Sequence, residues 1–341
     1  MSIGFFGGKF LPLHTGHVNC IINASNQCDK LYVGLSHSEK RDKILCKKYN
    51  FKPITKNKRL QWLDQITSSL PNVEIIDFED SDNENYSSWE EGANLIKEKI
   101  GQHINFIFGS EIEYKDIFEK IYPTSKYIIL DKDRKHVNIS ATKIRENGVF
   151  NNWEFIPNIC KPYYNKKIVI VGTESVGKSS MVKKLATYYN TNYVEEYGRK
   201  MCEKLNTGQP TKEYYPYIAY GHKMEEFKKN ETANKILFID TESNVTQFYS
   251  NLYADTNYKL LNEISKLNNY DLWIYLEPDV EWVDDGLRMH GDIINRKLNN
   301  KTLKTILDNN NIKYECVCGN YEDRFNNCVE LIENIISEKG S

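Results

Sequence analysis

The chain has 341 residues, 40% of them hydrophobic, and a formal charge of −2. That length exceeds what one core usually holds, so two domains of about 150 to 190 residues are expected. A pI near 6.4 gives no basic footprint and argues against nucleic acid as the main partner. No apolar run approaches the roughly 18 residues of a membrane span, and the opening lacks a charged n-region, so a cytoplasmic protein without membrane insertion is expected. The eight cysteines are read as reduced thiols. Cys316-Val317-Cys318 has no second cluster beside it and is not read as zinc ligands.

Ile3-Gly4-Phe5-Phe6 reads as a buried first strand, and Val18, Ile21, Ile22 and Ser25 follow at helical spacing. Between them stands Gly7-Gly8-Lys9-Phe10-Leu11-Pro12-Leu13-His14-Thr15-Gly16-His17. This strand-to-helix turn belongs at the ligand edge of a parallel sheet, where glycine admits close backbone approach and the helix start suits an anion. Lys9, His14 and His17 can stabilise oxygens that gain charge in a reaction. The pattern G-x-F-x-P-x-H-x-G-H is the signature of nucleotidylyltransferases, which attack a nucleoside triphosphate at its α-phosphate. The other histidines, His37, His103, His136, His222 and His290, are read as ordinary core or surface residues.

Leu31 to Leu35 reads as a second strand, with Arg41-Asp42 in a polar loop after it. Arg59, Leu60, Trp62, Leu63 and Ile66 recur at helical spacing, and Ile75 to Phe78 reads as a strand. Ser87-Ser88-Trp89-Glu90-Glu91 resembles a capping box, with Trp89 either a core residue or a platform for a flat ring. Ile104 to Phe108 suits a central parallel strand ending in Gly109-Ser110, a second turn at the ligand edge. After a strand at Tyr127 to Leu130, Ser140 or Thr142 caps a helix that carries Arg145 one turn in, a combination that can clamp phosphate. Residues 1–150 thus read as one doubly wound α/β domain, and 151–165, with Pro157 and Pro162, as a tight connector.

The second domain, 166–341, opens with the apolar strand Lys167 to Val171 and then Gly172-Thr173-Glu174-Ser175-Val176-Gly177-Lys178-Ser179-Ser180. This is a P-loop in its required strand-to-helix context: backbone N–H groups cradle phosphate, Lys178 reaches the β/γ oxygens and Ser179 ligates Mg²⁺. Asp240, ending the apolar strand from Lys235, fits the acidic partner of that metal. Glu196 and Arg199 follow a short strand where a carboxylate can accept a hydroxyl proton and an arginine can hold phosphate; the plainer reading is a solvated charged loop. Further strands are expected at Asp271 to Leu276 and Tyr314 to Val317, with Glu281 to Arg288 as a lid that brings Arg288 to the transferred phosphoryl group.

With both motifs placed, the chain resembles NadR-type bifunctional proteins, which couple nicotinamide-nucleotide adenylyltransferase to ribosylnicotinamide kinase. The resemblance runs nearly end to end, through Gly8 to His17, Arg59 to Trp62, Ser140 to Arg145, Phe155-Ile156-Pro157, the P-loop, Glu196 to Arg199, Ile239-Asp240-Thr241, Glu281 to Arg288, Tyr321 and Asp323-Arg324. Glu195 stands where similar sequences carry an aromatic residue, and Glu242 where Asp is expected. The first strand begins at residue 3, leaving no helix-turn-helix before it, so repressor activity is not implied. The resemblance implies ATP and Mg²⁺ as cofactors, nicotinamide riboside and its mononucleotide (NMN) as substrates and NAD as product. It leaves homo-oligomerisation open. A nucleotide sensor without turnover is the rival reading; a flavin-type kinase/adenylyltransferase is disfavoured by the P-loop.

Overall fold

Runs of β-branched and aromatic residues too short for helices become the central strands of two parallel sheets. The structure, a computed structural model, describes residues 1–81, 86–131, 135–207, 209–280 and 293–337. The chain divides into two units after Cys160, within the stretch read as connector.

In the first unit the strands are β1 (Ile3–Gly8), β2 (Lys30–His37), β3 (Val73–Glu79), β4 (Phe106–Gly109) and β5 (Lys126–Ile129), in the order β3-β2-β1-β4-β5. Every pairing is parallel, so each connection crosses over, and helices cover the faces. The order reverses direction between β1 and β4, which makes their carboxyl ends the switch point where such sheets bind ligands. Two expectations change here. Arg41 and Asp42 lie in the helix Glu39–Lys48, capped by Ser38 through the Arg41 N–H, because the charged run has good helix formers and a serine at its start. The helix that follows β3 is already formed at Tyr86 and runs to Ile100, so neither Ser87 nor Ser88 is its cap.

The second unit repeats the plan with β6 (Lys166–Val171), β7 (Tyr193–Val194), β8 (Ile236–Asp240), β9 (Leu272–Leu276) and β10 (Glu315–Val317), in the order β10-β9-β6-β8-β7. Along β6 the side chains alternate: Ile168 and Ile170 pack with Val182 and Leu185, whereas Val169 and Val171 pack with Leu237 and Val245. The strand is therefore buried on both faces, as its unbroken apolar run requires.

A buried charge ties this sheet to the helix Tyr215–Asn230. Glu226, 1% exposed, accepts from Lys167 at 2.8 Å, Lys223 at 2.9 Å and Tyr270 at 3.0 Å. Burial alone would raise its pKa, but the two ammonium groups outweigh it and hold the carboxyl below its ordinary range. Its contribution to stability is therefore present above the ordinary glutamate pKa and lost as pH falls through the lowered one. Glu226→Ala is expected to cost roughly 3–5 kcal/mol, read as an earlier denaturant transition of the second unit.

Candidate active sites

The histidine turn is built by the start of the helix Thr15–Ser25. His14 is its N-cap: the His14 ring accepts from the His17 N–H at 3.3 Å, and the His17 ring accepts from the His14 N–H at 3.4 Å, both through Nδ1. The rings stack with centroids 3.7 Å apart. Because each Nδ1 is an acceptor, each neutral ring carries its proton on Nε2, which makes that nitrogen the donor toward a ligand. Phe10, at a left-handed φ of 47°, sets its ring edge-on to His17 with centroids 5.0 Å apart. Gly16 is needed beside this pair, since a Cβ there would lie 3.0 Å from the His14 ring.

Arg145 reaches the same turn from the helix Ala141–Asn147, whose N-cap is Ser140. It donates to the Leu11 carbonyl, and to Thr142 Oγ1 at 2.9 Å. Burial lowers its pKa from the usual guanidinium value. Lys9 sits in a charge chain absent from the sequence reading. Its Nζ lies 2.8 Å from Asp80 and 3.7 Å from Asp42, Arg41 donates to the same Asp80 oxygen at 3.1 Å, and buried Arg59 pairs with Asp42 while donating to the Lys9 carbonyl at 2.7 Å. Gly7 and Gly8 end β1 beside the end of β4, where Gly109 and Ser110 stand. A Cβ on Gly109 would meet the Tyr127 hydroxyl at 2.0 Å, so glycine is the residue that fits. Trp89 is half-buried, packed against Tyr114 and edge-on to Phe118 of the unit's core.

In the second unit Gly172 has φ 146° and would place a Cβ 2.7 Å from the Leu276 carbonyl, while Gly177, at φ 87°, starts the helix Lys178–Tyr188. Between them Thr173, Glu174, Ser175 and Val176 form the loop. Lys178 is buried and donates to the Thr173 carbonyl at 2.7 Å. Ser179 Oγ donates to Asp240, and Thr241 Oγ1 donates to its other oxygen at 3.3 Å. Burial, with the Glu196 charge adding to it, pushes the Asp240 carboxyl up to about 6 despite Lys178.

The P-loop forms one wall of a cleft whose other walls carry Glu196, Tyr197, Arg199, Tyr215, His222, Tyr249 and Tyr253. His222, which sequence alone left as ordinary core, is buried there and donates to the Thr241 carbonyl at 3.0 Å; burial lowers its pKa and keeps it neutral. Glu195 is outside the cleft lining and pairs with Lys200 at 2.8 Å and Lys183 at 3.4 Å. Glu242 is the buried N-cap of the helix Ser243–Ala254, accepting from the Asn244 and Val245 N–H groups. Four tyrosines, Tyr197, Tyr215, Tyr249 and Tyr253, line the cleft, and one of them depends on a glycine. A Cβ on Gly221 would lie 2.4 Å from the Tyr197 ring. Gly221→Ala is expected to displace that ring and raise the KM for a nucleoside substrate about tenfold, with a smaller effect on kcat, read from initial rates of ADP formation.

Tyr321 starts the helix Tyr321–Ile336 beside the loop, half-exposed, with its ring edge 3.8 Å from where a Gly177 Cβ would stand. Arg324, 1% exposed, donates to the carbonyls of Val176 at 2.8 Å, Glu277 at 2.7 Å and Gly319 at 2.9 Å, and pairs with Asp279. It thereby fastens the phosphate loop to β9 and the last helix. Ser180 follows Ser179 in the cleft lining. Arg288 lies outside the described residues. The signals for the tyrosines and Arg324 were absent because their partners are far away in sequence.

These features define a two-site nucleotide-handling protein, a nucleotidylyltransferase-type unit followed by a P-loop unit. Residues 5–147 match the cytidylyltransferase-like family, and 167–324 match an AAA domain. The trifunctional NAD biosynthesis/regulator protein NadR of Salmonella typhimurium (strain LT2) is 33% identical over 99% of this chain and 84% of its own length. That of Escherichia coli (strain K12) is likewise 33% identical, with the same coverage. The chain belongs to the NadR family. A crystal structure of NadR protein in complex with NR shares the fold, with a TM-score of 0.78 at 24% identity over 100% of this chain and 97% of that one. Another, in complex with NAD and AMP-PNP, gives 0.77 at 23% identity over the same shares.

Proposed function

We propose that the chain carries out two successive steps of NAD salvage: ATP-dependent phosphorylation of nicotinamide riboside in the second unit, then adenylylation of the resulting mononucleotide (NMN) in the first. What carries this reading is the presence in one chain of a P-loop cleft lined by Glu196 and by Ser179, with buried Asp240 behind the serine, and a turn that fixes two imidazoles in one tautomer. The family membership supports the choice of substrates.

In the kinase step the riboside 5′-oxygen bonds to the γ-phosphorus of ATP as the bond to the β-phosphate oxygen breaks, releasing ADP. The hydroxyl proton goes to Glu196. Asp240 is the poorer acceptor, because it is buried behind Ser179 and absent from the cleft lining on which Glu196 stands. Ser179 and Asp240 form a hard-oxygen pair of the kind that suits Mg²⁺ and would hold it. When bound, the ion neutralises charge on the β- and γ-phosphates. Lys178 and the loop N–H groups hold the same phosphates, Arg199 stands across the cleft, and Tyr321 offers a face for adenine. Arg288 is proposed as a further phosphate contact.

In the adenylylation step an oxygen of the mononucleotide phosphate bonds to the α-phosphorus of a second ATP, and pyrophosphate leaves. The nucleophile is already an anion, so no base is required. His14 and His17 donate from Nε2 to the charged oxygens, Lys9 and Arg145 offset their charge, and Ser140 and Thr142 at the start of a helix hold phosphate. Gly7, Gly8, Phe10, Gly16, Gly109 and Ser110 shape the sheet edge, with Trp89 as a candidate contact to a flat ring. Incubation with nicotinamide riboside, ATP and Mg²⁺ is expected to yield first mononucleotide with ADP, then NAD with pyrophosphate. Binding without turnover would instead mark a sensor.

A further inference from the structure

The helix Tyr215–Asn230 has two apolar faces. Tyr215, Ile218, Ala219, His222 and Glu226 point into the unit, and Tyr215, Ile218 and His222 line the kinase cleft. On the opposite side Tyr217, Tyr220, Met224 and Phe227 are 65%, 61%, 38% and 63% exposed. A surface helix normally turns polar residues outward, and single exposed hydrophobics are ordinary, but four at successive spacings of three, four and three form a continuous seam. Aromatic residues and methionine are also the types enriched at interface centres.

We infer that this seam is the contact between two copies of the chain, packed antiparallel about a two-fold axis opposite residue 222. The spacing selects that occupant. Positions 217 and 227 are equidistant from 222, as are 220 and 224, so a two-fold sets Tyr217 against the partner's Phe227 and Tyr220 against the partner's Met224. Every pair then recurs once across the axis, which is the condition for an isologous contact. Ring–ring and sulfur–ring pairs result, both favourable beyond their area. The four side chains expose roughly 500 Å² per copy, more than half of the ~800 Å² per partner that a specific interface buries, and the flanking residues of the helix supply a rim. A membrane surface is a poorer occupant, since an interfacial helix keeps a basic polar face in water opposite its apolar one, whereas the face opposite this seam is packed into the unit through Tyr215, Ile218 and Ala219. The helix would then join the kinase cleft of each copy to the subunit contact.

Sedimentation of the full chain over a concentration series tests this. The wild type is expected to move toward twice the 39.9 kDa chain mass. Tyr220→Lys and Met224→Glu should each weaken association by roughly 100-fold or more, with circular dichroism and riboside phosphorylation unchanged. Mixing the two variants should restore the dimer, because only the antiparallel arrangement brings the new lysine of one chain onto the new glutamate of the other. Phe227→Ser replaces either variant that fails to fold. A wild type that stays monomeric, folded variants that associate as tightly as the wild type, or a mixture that stays monomeric would each overturn the inference. A complex formed only with a different protein would overturn it as well.

Discussion

Replacing His17 by alanine is expected to lower mononucleotide adenylylation by about 100- to 1000-fold while leaving riboside phosphorylation within about twofold. The loss has two parts. The His17 Nε2 donor toward the α-phosphate disappears, and so does the Nδ1 acceptor that receives the His14 N–H and helps to hold the turn. The fold should survive, because the missing half of the cap is worth about 1 kcal/mol and the helix Thr15–Ser25 keeps Cys20, Ile21 and Ala24 buried. Pyrophosphate release from mononucleotide and ATP, measured beside ADP release from riboside and ATP, checks it. A fall in both activities without unfolding would defeat the assignment of one step to each unit.

The converse substitution, Lys178→Ala, is expected to lower riboside phosphorylation by about 1000-fold or more and to spare adenylylation. Lys178 is buried in the loop and is the cation that opposes the upward shift of Asp240. Without it the β- and γ-oxygens lose their ammonium and Asp240 is driven further toward its neutral form, so affinity for the nucleotide and the rate should fall together. Restoring activity with a much higher Mg²⁺ concentration alone would show that Lys178 serves only to tune Asp240. Partition of the defect between kcat and KM, followed over a magnesium series, reads this out.

Both turns proposed to bind phosphate were legible because their chemistry is local. Glycines, the lysine, the histidines and the flanking strand and helix all lie within a dozen residues, so spacing alone places them. The fold class followed for the same reason, from apolar runs such as Lys167 to Val171 that suit only buried parallel strands. What stayed hidden depends on distant partners. Asp80 and Arg41 meet at Lys9 only after β3 has paired with β2, and Tyr249 and Tyr253 face the P-loop only once the helix that follows β8 is docked. Arg41-Asp42 was misread as loop because charge density masked a capped helix. The resemblance marks Glu195 as standing in the place of an aromatic residue; its carboxylate pairs with Lys183 and Lys200 outside the cleft lining.

Arg324 adds an order of events to this picture. It holds the carbonyl of Val176 from 148 positions away, and its other partners, Glu277, Asp279 and Gly319, all come after β8. A ribosome therefore releases the complete phosphate-loop sequence long before the side chain that pins it exists. Until the last helix emerges the loop lacks its clasp, and a chain truncated shortly before residue 324 would contain every residue of the P-loop motif and still not hold it in shape.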